Sequence, residues 1–199
     1  ILARKAMDEV GFTGKVTGLD IDPAMLAEAQ RVAPAIEWCE GDAQQMPFAD
    51  RRFDRVVSQF LLPYVKNRVG MLKELSRVLA PGGRLVLATW APLNYSPAFN
   101  KLIQITRQRG YAQAADRLAL PWELGYDEKL ISLISASGLT SQSIKREKGT
   151  ARFPDADTIV DLWIEQPPVR SLLDDAACKR IRLRAKEELA NFAVPSGGL

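Results

Sequence analysis

Two acidic residues, Asp20 and Asp42, each follow a short run typical of a strand, and a polar residue, Gln59, ends a third such run. A carboxylate suits a ligand that carries hydroxyl or amino groups, because it only accepts hydrogen bonds and can take two donors at once. The alternative is that each acid is a plain turn or cap residue. Taken one at a time, these residues leave both interpretations open.

The segments that would position these residues alternate between strand and helix. Asp22 followed by Pro23 predicts the start of one helix. Asn67 can cap a second helix, and Pro81-Gly82-Gly83 is typical of its end. The strands between and around them are predicted over residues 15–20, 36–40, 53–60 and 84–89.

This order of strands and helices predicts the α/β class: a Rossmann-like, doubly wound and mostly parallel sheet with helices on both faces. In such sheets, ligands bind outside the carboxyl ends of the strands. Asp20, Asp42 and Gln59 all fall at such ends. The alternation therefore makes a ligand-binding role a candidate for all three.

The second half of the chain predicts mostly helices. Asp127 can cap one helix, and Gly138 is typical of the residue that stops it. Other helices are predicted over residues 97–110, 158–164 and 174–192, with strand-like residues over 141–153.

No convincing linker interrupts the chain, so we predict a single domain over residues 1–199. Within it, residues 91–199 would contain a helical cap.

The composition narrows the classes of function. A chain of 199 residues with 47% hydrophobic content can bury a full core. No apolar run reaches the ~18 residues that a membrane helix needs. Cys39 and Cys178 form no CxxC pair, which favours reduced thiols and a cytoplasmic protein.

Charge and histidine content exclude further classes. The net charge of +3 gives no reason to expect a nucleic-acid partner, and the basic run over residues 178–189 has no clean stripe, which is typical of a solvated helix face. The sequence has no histidine, the commonest metal ligand and general base. We therefore predict no metal site and leave the catalytic residues unknown. A base would have to be Asp, Glu, Tyr, Lys or Cys.

Three motifs in order give the chain a family resemblance: VTGLDIDPAML, EGDAQQMPFADRRFDRVVSQF and LKELSRVLAPGGRLVLAT. Together they resemble the class I S-adenosylmethionine-dependent methyltransferases. Within that superfamily, the chain looks most similar to small-molecule enzymes of the ubiquinone/menaquinone-biosynthesis type. The resemblance implies S-adenosylmethionine as cofactor and methyl transfer to a small-molecule acceptor by in-line displacement. It also implies that residues 1–90 form the cofactor-binding half and that residues 91–199 form the substrate side with the helical cap.

The resemblance also implies which polar groups hold the cofactor. Asp20 matches the acid that accepts hydrogen bonds from both ribose hydroxyls. Asp42 matches the side chain that holds the adenine amino group, and Ala43 would lend its backbone N–H to a ring nitrogen. Gln59 matches a polar position near the methionine part.

Apolar contacts complete the implied site. Ile21 would lie against the adenine ring with Met25 nearby, although both residues are more often found in a core. A flat apolar acceptor, such as a quinone-like ring, would suit the aromatic residues that follow, whose alternative role is to pack a cap onto the core. The expected substrate-side residues are Phe60, Leu61, Tyr64, Trp90 and Tyr95.

The family's glycine-rich loop, which follows its first strand, is not present in this sequence. Residues 1–10 are interpreted as the helix after that loop. We therefore expect the loop and its strand to precede Ile1 and to add roughly 40–50 residues. That strand would lie between the predicted strands at 15–20 and 53–60.

Two other functions stay open at this point. Asp20 after a strand also suits the ribose of a nicotinamide cofactor, but no tyrosine has a lysine four residues later, as short-chain oxidoreductases require. The second is a non-catalytic, cofactor-binding pseudoenzyme on the same fold. The oligomeric state cannot be predicted.

Overall fold

Helices alternate with parallel strands in the first half of the chain, and helices predominate in the second. The computed structural model describes residues 1–192, without the side chain of Asn191. Unit 1 comprises Ile1–Ala88 with Ile131–Ser141, and unit 2 comprises Thr89–Leu130 with the described part of Gln142–Leu199. Residues 193–199, the end of the predicted substrate-side region, lie outside the described residues. The single domain stays a prediction.

Unit 1 contains the α/β alternation. Its elements in chain order are α1 Leu2–Val10, β1 Thr17–Asp20, α2 Pro23–Val32, β2 Glu37–Glu40, β3 Phe53–Gln59, α3 Arg68–Arg77 and β4 Leu79–Ala88.

The strands of unit 1 pair in parallel, as the sequence predicts. β1 pairs with β2, which places Asp20 opposite Glu40. β3 pairs with β4, which places Gln59 opposite Ala88. In the part of the chain that the structure describes, these are two separate two-stranded pairs. Parallel strands linked by helices confirm the predicted α/β, Rossmann-like class.

The two predicted helix starts of unit 1 are confirmed by their caps. Asp22 precedes α2, and its Oδ1 accepts a hydrogen bond from the backbone N–H of Ala24 at 2.8 Å. Asn67 precedes α3, and its Oδ1 accepts from the backbone N–H of Gly70 at 2.8 Å. Each side chain satisfies a helical N–H that has no partner within its own helix.

The Pro81-Gly82-Gly83 sequence lies inside β4, whereas the sequence analysis placed it between a helix and a strand. The register with β3 shifts here, because Phe53 lies opposite Leu79 whereas Arg55 lies opposite Arg84. Gly82 has φ 77°, a left-handed conformation that favours glycine because it has no Cβ. The Pro-Gly-Gly sequence that predicted a turn therefore forms an irregularity within one strand.

Unit 2 is built mainly of helices. Its helices are α4 Pro97–Gln108, α5 Ala112–Ala119, α7 Ala156–Ile164, α8 Pro167–Arg170 and α9 Asp175–Leu189, while α6 Asp127–Ala136 is divided between the units. The helices of unit 2 share one apolar core, whose fully buried members include Leu102, Ile105, Ile159, Ile181 and Leu189. No pattern in the sequence predicted α5.

Two basic side chains of α9 bind acids of α7. Arg182 contacts Asp161 at 2.6 Å, and Lys186 contacts Asp157 at 2.7 Å. These ion pairs account for the alternation of basic and apolar residues along α9. None of the described helices is both long and apolar enough to cross a membrane.

The strand predicted over residues 141–153 is wrong, because this stretch contains neither strand nor helix. Residues 141–150 are all exposed, and the charged run from Lys145 to Lys148 occupies their middle. A strand needs both a hydrogen-bonding neighbour and a face to bury. This segment has neither among the described residues.

Candidate cofactor and substrate site

Asp20 is the last residue of β1, and its side chain is exposed. Its Oδ1 accepts a hydrogen bond from the backbone N–H of Asp22 at 3.0 Å, so the residue does close the turn into α2. Its Oδ2 makes no hydrogen bond to any described residue. One carboxylate oxygen therefore orients the side chain, and the other is left to accept from a ligand.

Asp42 begins a tight turn just after β2. It forms an isolated bridge with Gln45, whose N–H donates to the Asp42 carbonyl at 2.9 Å. The backbone N–H of Gln44 donates to Asp42 Oδ1 at 2.8 Å, and the Gln44 side-chain amide donates to both carboxylate oxygens at 3.2 and 3.1 Å. Gln44 thus fixes the carboxylate, a role that the sequence analysis missed.

Ala43 lies at the tip of this turn. Its backbone N–H has no hydrogen-bond partner within residues 1–192. A polar backbone group of this kind normally finds a partner, from protein, water or ligand. It is therefore free to donate to an acceptor such as a ring nitrogen.

The parallel register brings these groups to one edge of the β1–β2 pair. Asp20 lies opposite Glu40, and the N–H of Gly41 donates to the Asp20 carbonyl at 2.9 Å. Asp42 follows Gly41 directly. The two carboxylates predicted to hold ribose and adenine therefore stand at the carboxyl ends of neighbouring strands.

Ile21 follows Asp20 directly, Met25 lies in the first turn of α2, and both side chains are uncovered. Their exposed fractions are 65% and 58%, so neither belongs to the core, the alternative that the sequence left open. Isolated exposed apolar side chains are common. Together with the free Oδ2 of Asp20, Ile21 and Met25 also offer apolar surface for the face of a flat ring.

Gln59 ends β3 with its side chain exposed, and Phe60 follows with φ 60°. This left-handed conformation costs a residue with a side chain roughly 1–2 kcal/mol. The N–H of Phe60 donates to the Ala88 carbonyl at 2.8 Å, which holds the strained residue at the end of the β3–β4 pair. Strained residues cluster at functional sites, and no sequence pattern indicated this one.

Leu61 and Tyr64 continue from Phe60 and are exposed by 41% and 54%. Partial burial raises the pKa of the Tyr64 hydroxyl above its ordinary value. At neutral pH this phenol is therefore protonated and can donate a hydrogen bond. Both side chains are available for contact with a ligand.

Trp90 and Tyr95 lie in unit 2 and are described within it. The Trp90 ring lies 6.1 Å from the Trp122 ring, between centroids. Tyr95 and Tyr126 line a groove of about 300 Å³. The guanidinium of Arg146 lies 5.4 Å from the centre of the Tyr95 ring and binds Asp127 at 2.8 Å. Tyr95 thus faces a groove, whereas Trp90 packs on another aromatic ring.

A family model described as a methyltransferase domain matches residues 2–87. Over these residues the chain is similar to the class I S-adenosylmethionine-dependent methyltransferases. The matched residues contain Asp20, Asp42 and Gln59, so the family resemblance seen in the sequence is confirmed.

Two curated relatives illustrate the similarity of the methyltransferase domain. The chain is 39% identical over 103 residues to the chloroplastic 2-phytyl-1,4-beta-naphthoquinone methyltransferase of Arabidopsis thaliana. This match covers 48% of this chain and 40% of that protein. It is 36% identical over 180 residues to the ubiquinone/menaquinone biosynthesis C-methyltransferase UbiE of Roseobacter denitrificans, which covers 83% and 62%. The chain therefore spans less than two thirds of either relative.

Among solved structures, the YcgJ protein of Bacillus subtilis is similar with a TM-score of 0.54 and 19% identity. The match covers 92% of this chain and 70% of that one. At this identity the similarity shows the fold alone.

The methyltransferase domain has groups that fit the adenosine part of S-adenosylmethionine. Asp20 Oδ2 is free to accept from ribose hydroxyls, and the N–H of Ala43 is free to donate to a base. Ile21, which follows Asp20, and Met25 in the first turn of α2 are uncovered. The chemistry of this donor and acceptor set agrees with the cofactor that the family implies.

Proposed function

We propose that this chain is the catalytic part of an enzyme that transfers a methyl group from S-adenosylmethionine to a small-molecule acceptor. The observation that carries the proposal is the placement of Asp20 and of the Asp42–Ala43 turn at the carboxyl ends of the neighbouring strands β1 and β2, each with a group left free for a ligand. The names of the two curated relatives support a quinone-like ring as the acceptor.

When bound, S-adenosylmethionine supplies a methyl group on a positively charged sulfur. In this proposal, Asp20 binds the ribose hydroxyls, Asp42 accepts from the adenine amino group, and Ala43 donates to the ring. Gln59 lies toward the methionine part. Alignment of two reactants in a dry site can supply ~7–11 kcal/mol of the barrier, so the residues mainly bind and orient.

The substrate side of the proposal comprises five residues that the sequence analysis named. Phe60, Leu61 and Tyr64 follow β3 directly, and the exposure of the last two supports contact with a flat acceptor. Trp90 and Tyr95 would contribute aromatic surface. We also propose a reducing compartment such as the cytoplasm, which the free thiols of Cys39 and Cys178 support.

The first test replaces Asp20 with alanine and measures the affinity for S-adenosylhomocysteine by calorimetry. Loss of charge-assisted hydrogen bonds, together worth about 1.5–3 kcal/mol, should weaken binding roughly ten- to hundred-fold. Glu40→Ala is the matched control, because Glu40 is an exposed acid opposite Asp20 at the end of β2. Equal affinities of the parent and the Asp20→Ala variant would contradict the ribose assignment.

The second test compares S-adenosylhomocysteine with its inosine analogue. Asp42 accepts from an amino group but repels a ring carbonyl, so the parent should bind the inosine analogue much more weakly. Asp42→Asn should narrow that gap, because an amide can also donate. Equal binding of the two ligands to the parent would refute the adenine assignment. NADH, which lacks the sulfonium-derived part, serves as a ligand that should not bind.

A further inference from the structure

The last turn of α3 carries an arginine whose hydrogen-bonding capacity is fully used. Arg77 Nε and Nη2 donate to the two oxygens of Glu74 at 2.7 and 2.8 Å. Its Nη1 donates to the Phe48 carbonyl at 2.8 Å and to Asp50 Oδ1 at 2.7 Å, and Nη2 also donates to the Met46 carbonyl at 3.1 Å. A guanidinium has five N–H groups, and each has a partner here.

Glu74 and Arg77 together hold the backbone of the segment that follows the Asp42 turn. Both backbone polar groups of Met46 are bound. Its N–H donates to Glu74 Oε2 at 2.9 Å, and its carbonyl accepts from Arg77. At the far end of the segment, the N–H of Arg51 donates to the Arg77 carbonyl at 2.9 Å. Residues 46–51 are therefore fixed to the end of α3.

The Asp42 turn is also fixed to the other end of the same helix. The N–H of Asn67, the residue that caps α3, donates to Gln44 Oε1 at 2.9 Å. The Gln44 side chain in turn donates to the carboxylate of Asp42. The turn is thus held at Gln44 by the start of α3 and, from Met46 onward, by its end.

We propose that Arg77 and Glu74 are positioning residues that set the Asp42–Ala43 turn for the adenine of the cofactor, without contacting the cofactor themselves. The inference rests on the proposed function, because the turn needs a defined geometry only if a base binds there. It also explains why Arg77, which is 30% exposed and paired with the 20% exposed Glu74, donates to backbone carbonyls as well as to carboxylates.

A second Glu-Arg pair shows the difference. Glu28 and Arg31 in α2 have the same spacing and bind at 2.6 Å, with side chains 58% and 71% exposed. Their hydrogen bonds join only each other. The spacing alone therefore does not fix a neighbouring segment, since of these two pairs it is Glu74–Arg77 that binds residues 46–51.

The experiment uses Arg77→Lys in the full chain, with Arg31→Lys as the matched control. Lysine keeps the charge but lacks the planar fork, so it cannot serve Glu74, Asp50 and two carbonyls together. Backbone amide exchange at Met46 and Arg51 should become faster by about tenfold or more in Arg77→Lys. The acceptors of these two N–H groups, Glu74 Oε2 and the Arg77 carbonyl, remain, but the segment between them loses its bonds to the guanidinium and opens more often. Exchange at the same amides should be unchanged in Arg31→Lys.

A binding measurement separates positioning from stability. In Arg77→Lys, the ratio of affinities for S-adenosylhomocysteine and its inosine analogue should shrink, because the Asp42 turn loses its fixed geometry. Val78→Ala, which makes a cavity at a residue 1% exposed, supplies a variant of lowered melting temperature without touching the polar contacts. Its affinity ratio should stay that of the parent.

Three outcomes decide the question. Unchanged exchange at Met46 and Arg51 in Arg77→Lys would overturn the proposal, and so would faster exchange with an unchanged affinity ratio. If the parent bound neither ligand, the proposed function would fail, together with the role in adenine binding. The exchange comparison would then still show whether the pair fixes the loop.

Discussion

The two units of this protein are stabilised in different ways. Unit 2 has a continuous apolar core in which side chains from α4, α7 and α9 are fully buried. In unit 1, by contrast, burial is concentrated at α3, where Met71 and Leu72 are fully buried, while α1 and α2 contain no buried residue. Val57 and Val86 of the paired strands β3 and β4 are 44% and 57% exposed.

Unit 1 compensates with directional polar contacts around its candidate site. The Asp42 turn is held by Gln44, and the segment after it by Glu74 and Arg77. Apolar packing is non-directional and adds up over area, whereas hydrogen bonds fix particular atoms. A lesion in the core of unit 2 should therefore cost more global stability than a polar lesion in unit 1, which should also change the local geometry of the site.

The largest effect is expected in the core of unit 2. Ile181 is fully buried, and its replacement by alanine should lower the free energy of unfolding by about 2–5 kcal/mol. Val86→Ala on the exposed face of β4 should cost about 1 kcal/mol or less. Urea unfolding followed by circular dichroism measures both. Similar costs would remove the contrast between the units.

A smaller, pH-dependent effect is expected at Glu74. Hydrogen bonds from Arg77 hold the pKa of Glu74 below its ordinary value of 4.5. Folding therefore gains stability from Glu74 above that ordinary value, and this gain is lost as the pH falls through the lower pKa of the folded state. At pH 7, Glu74→Gln should be less stable than the parent by about 1.5–3 kcal/mol.

The gap between the parent and Glu74→Gln should close as the pH is lowered below 4.5. Unfolding curves at a series of pH values measure it, and the difference between the two proteins removes the contribution of other carboxylates. A gap that did not depend on pH would mean that the ion pair does not stabilise unit 1.

The smallest effect concerns the strained backbone at the end of β3. At most positions, alanine is more stable than glycine. At Phe60, with φ 60°, Phe60→Gly should be more stable than Phe60→Ala by about 1 kcal/mol, because both remove the ring and only glycine tolerates this conformation. Melting temperatures of the two variants give the answer. If Phe60→Ala had the higher melting temperature, the backbone at position 60 would have relaxed to an ordinary conformation.

Local sequence signals predicted the parts of unit 1 that depend on neighbouring residues. Asp22 and Asn67 cap their helices through bonds to residues two or three positions away, so short patterns contain the necessary information. The parallel alternation followed from the order of those elements. The positions of Asp20 and Asp42 at strand ends followed in turn.

Contacts between distant segments could not be predicted in the same way. Arg77 reaches the carbonyls of Met46 and Phe48, about thirty positions earlier in the chain, and backbone acceptors have no signature in a sequence. The predicted strand over 141–153 failed for a related reason, because strand formation depends on a partner that the local pattern does not contain. The strain at Phe60 likewise has no local signal.

The arrangement of the four tryptophans has an optical consequence. Trp38 is the member that lies in unit 1, where its indole N–H donates to the Ala33 carbonyl at 2.9 Å. Trp122 lies 6.1 Å from Trp90 and 5.4 Å from Trp163, all within unit 2. Rings this close couple electronically, so near-ultraviolet dichroism and emission report mainly on unit 2. A Trp38→Phe variant would confine the tryptophan signal to unit 2, and a single dye on Cys39, the less buried thiol, would give a separate fluorescence signal from unit 1.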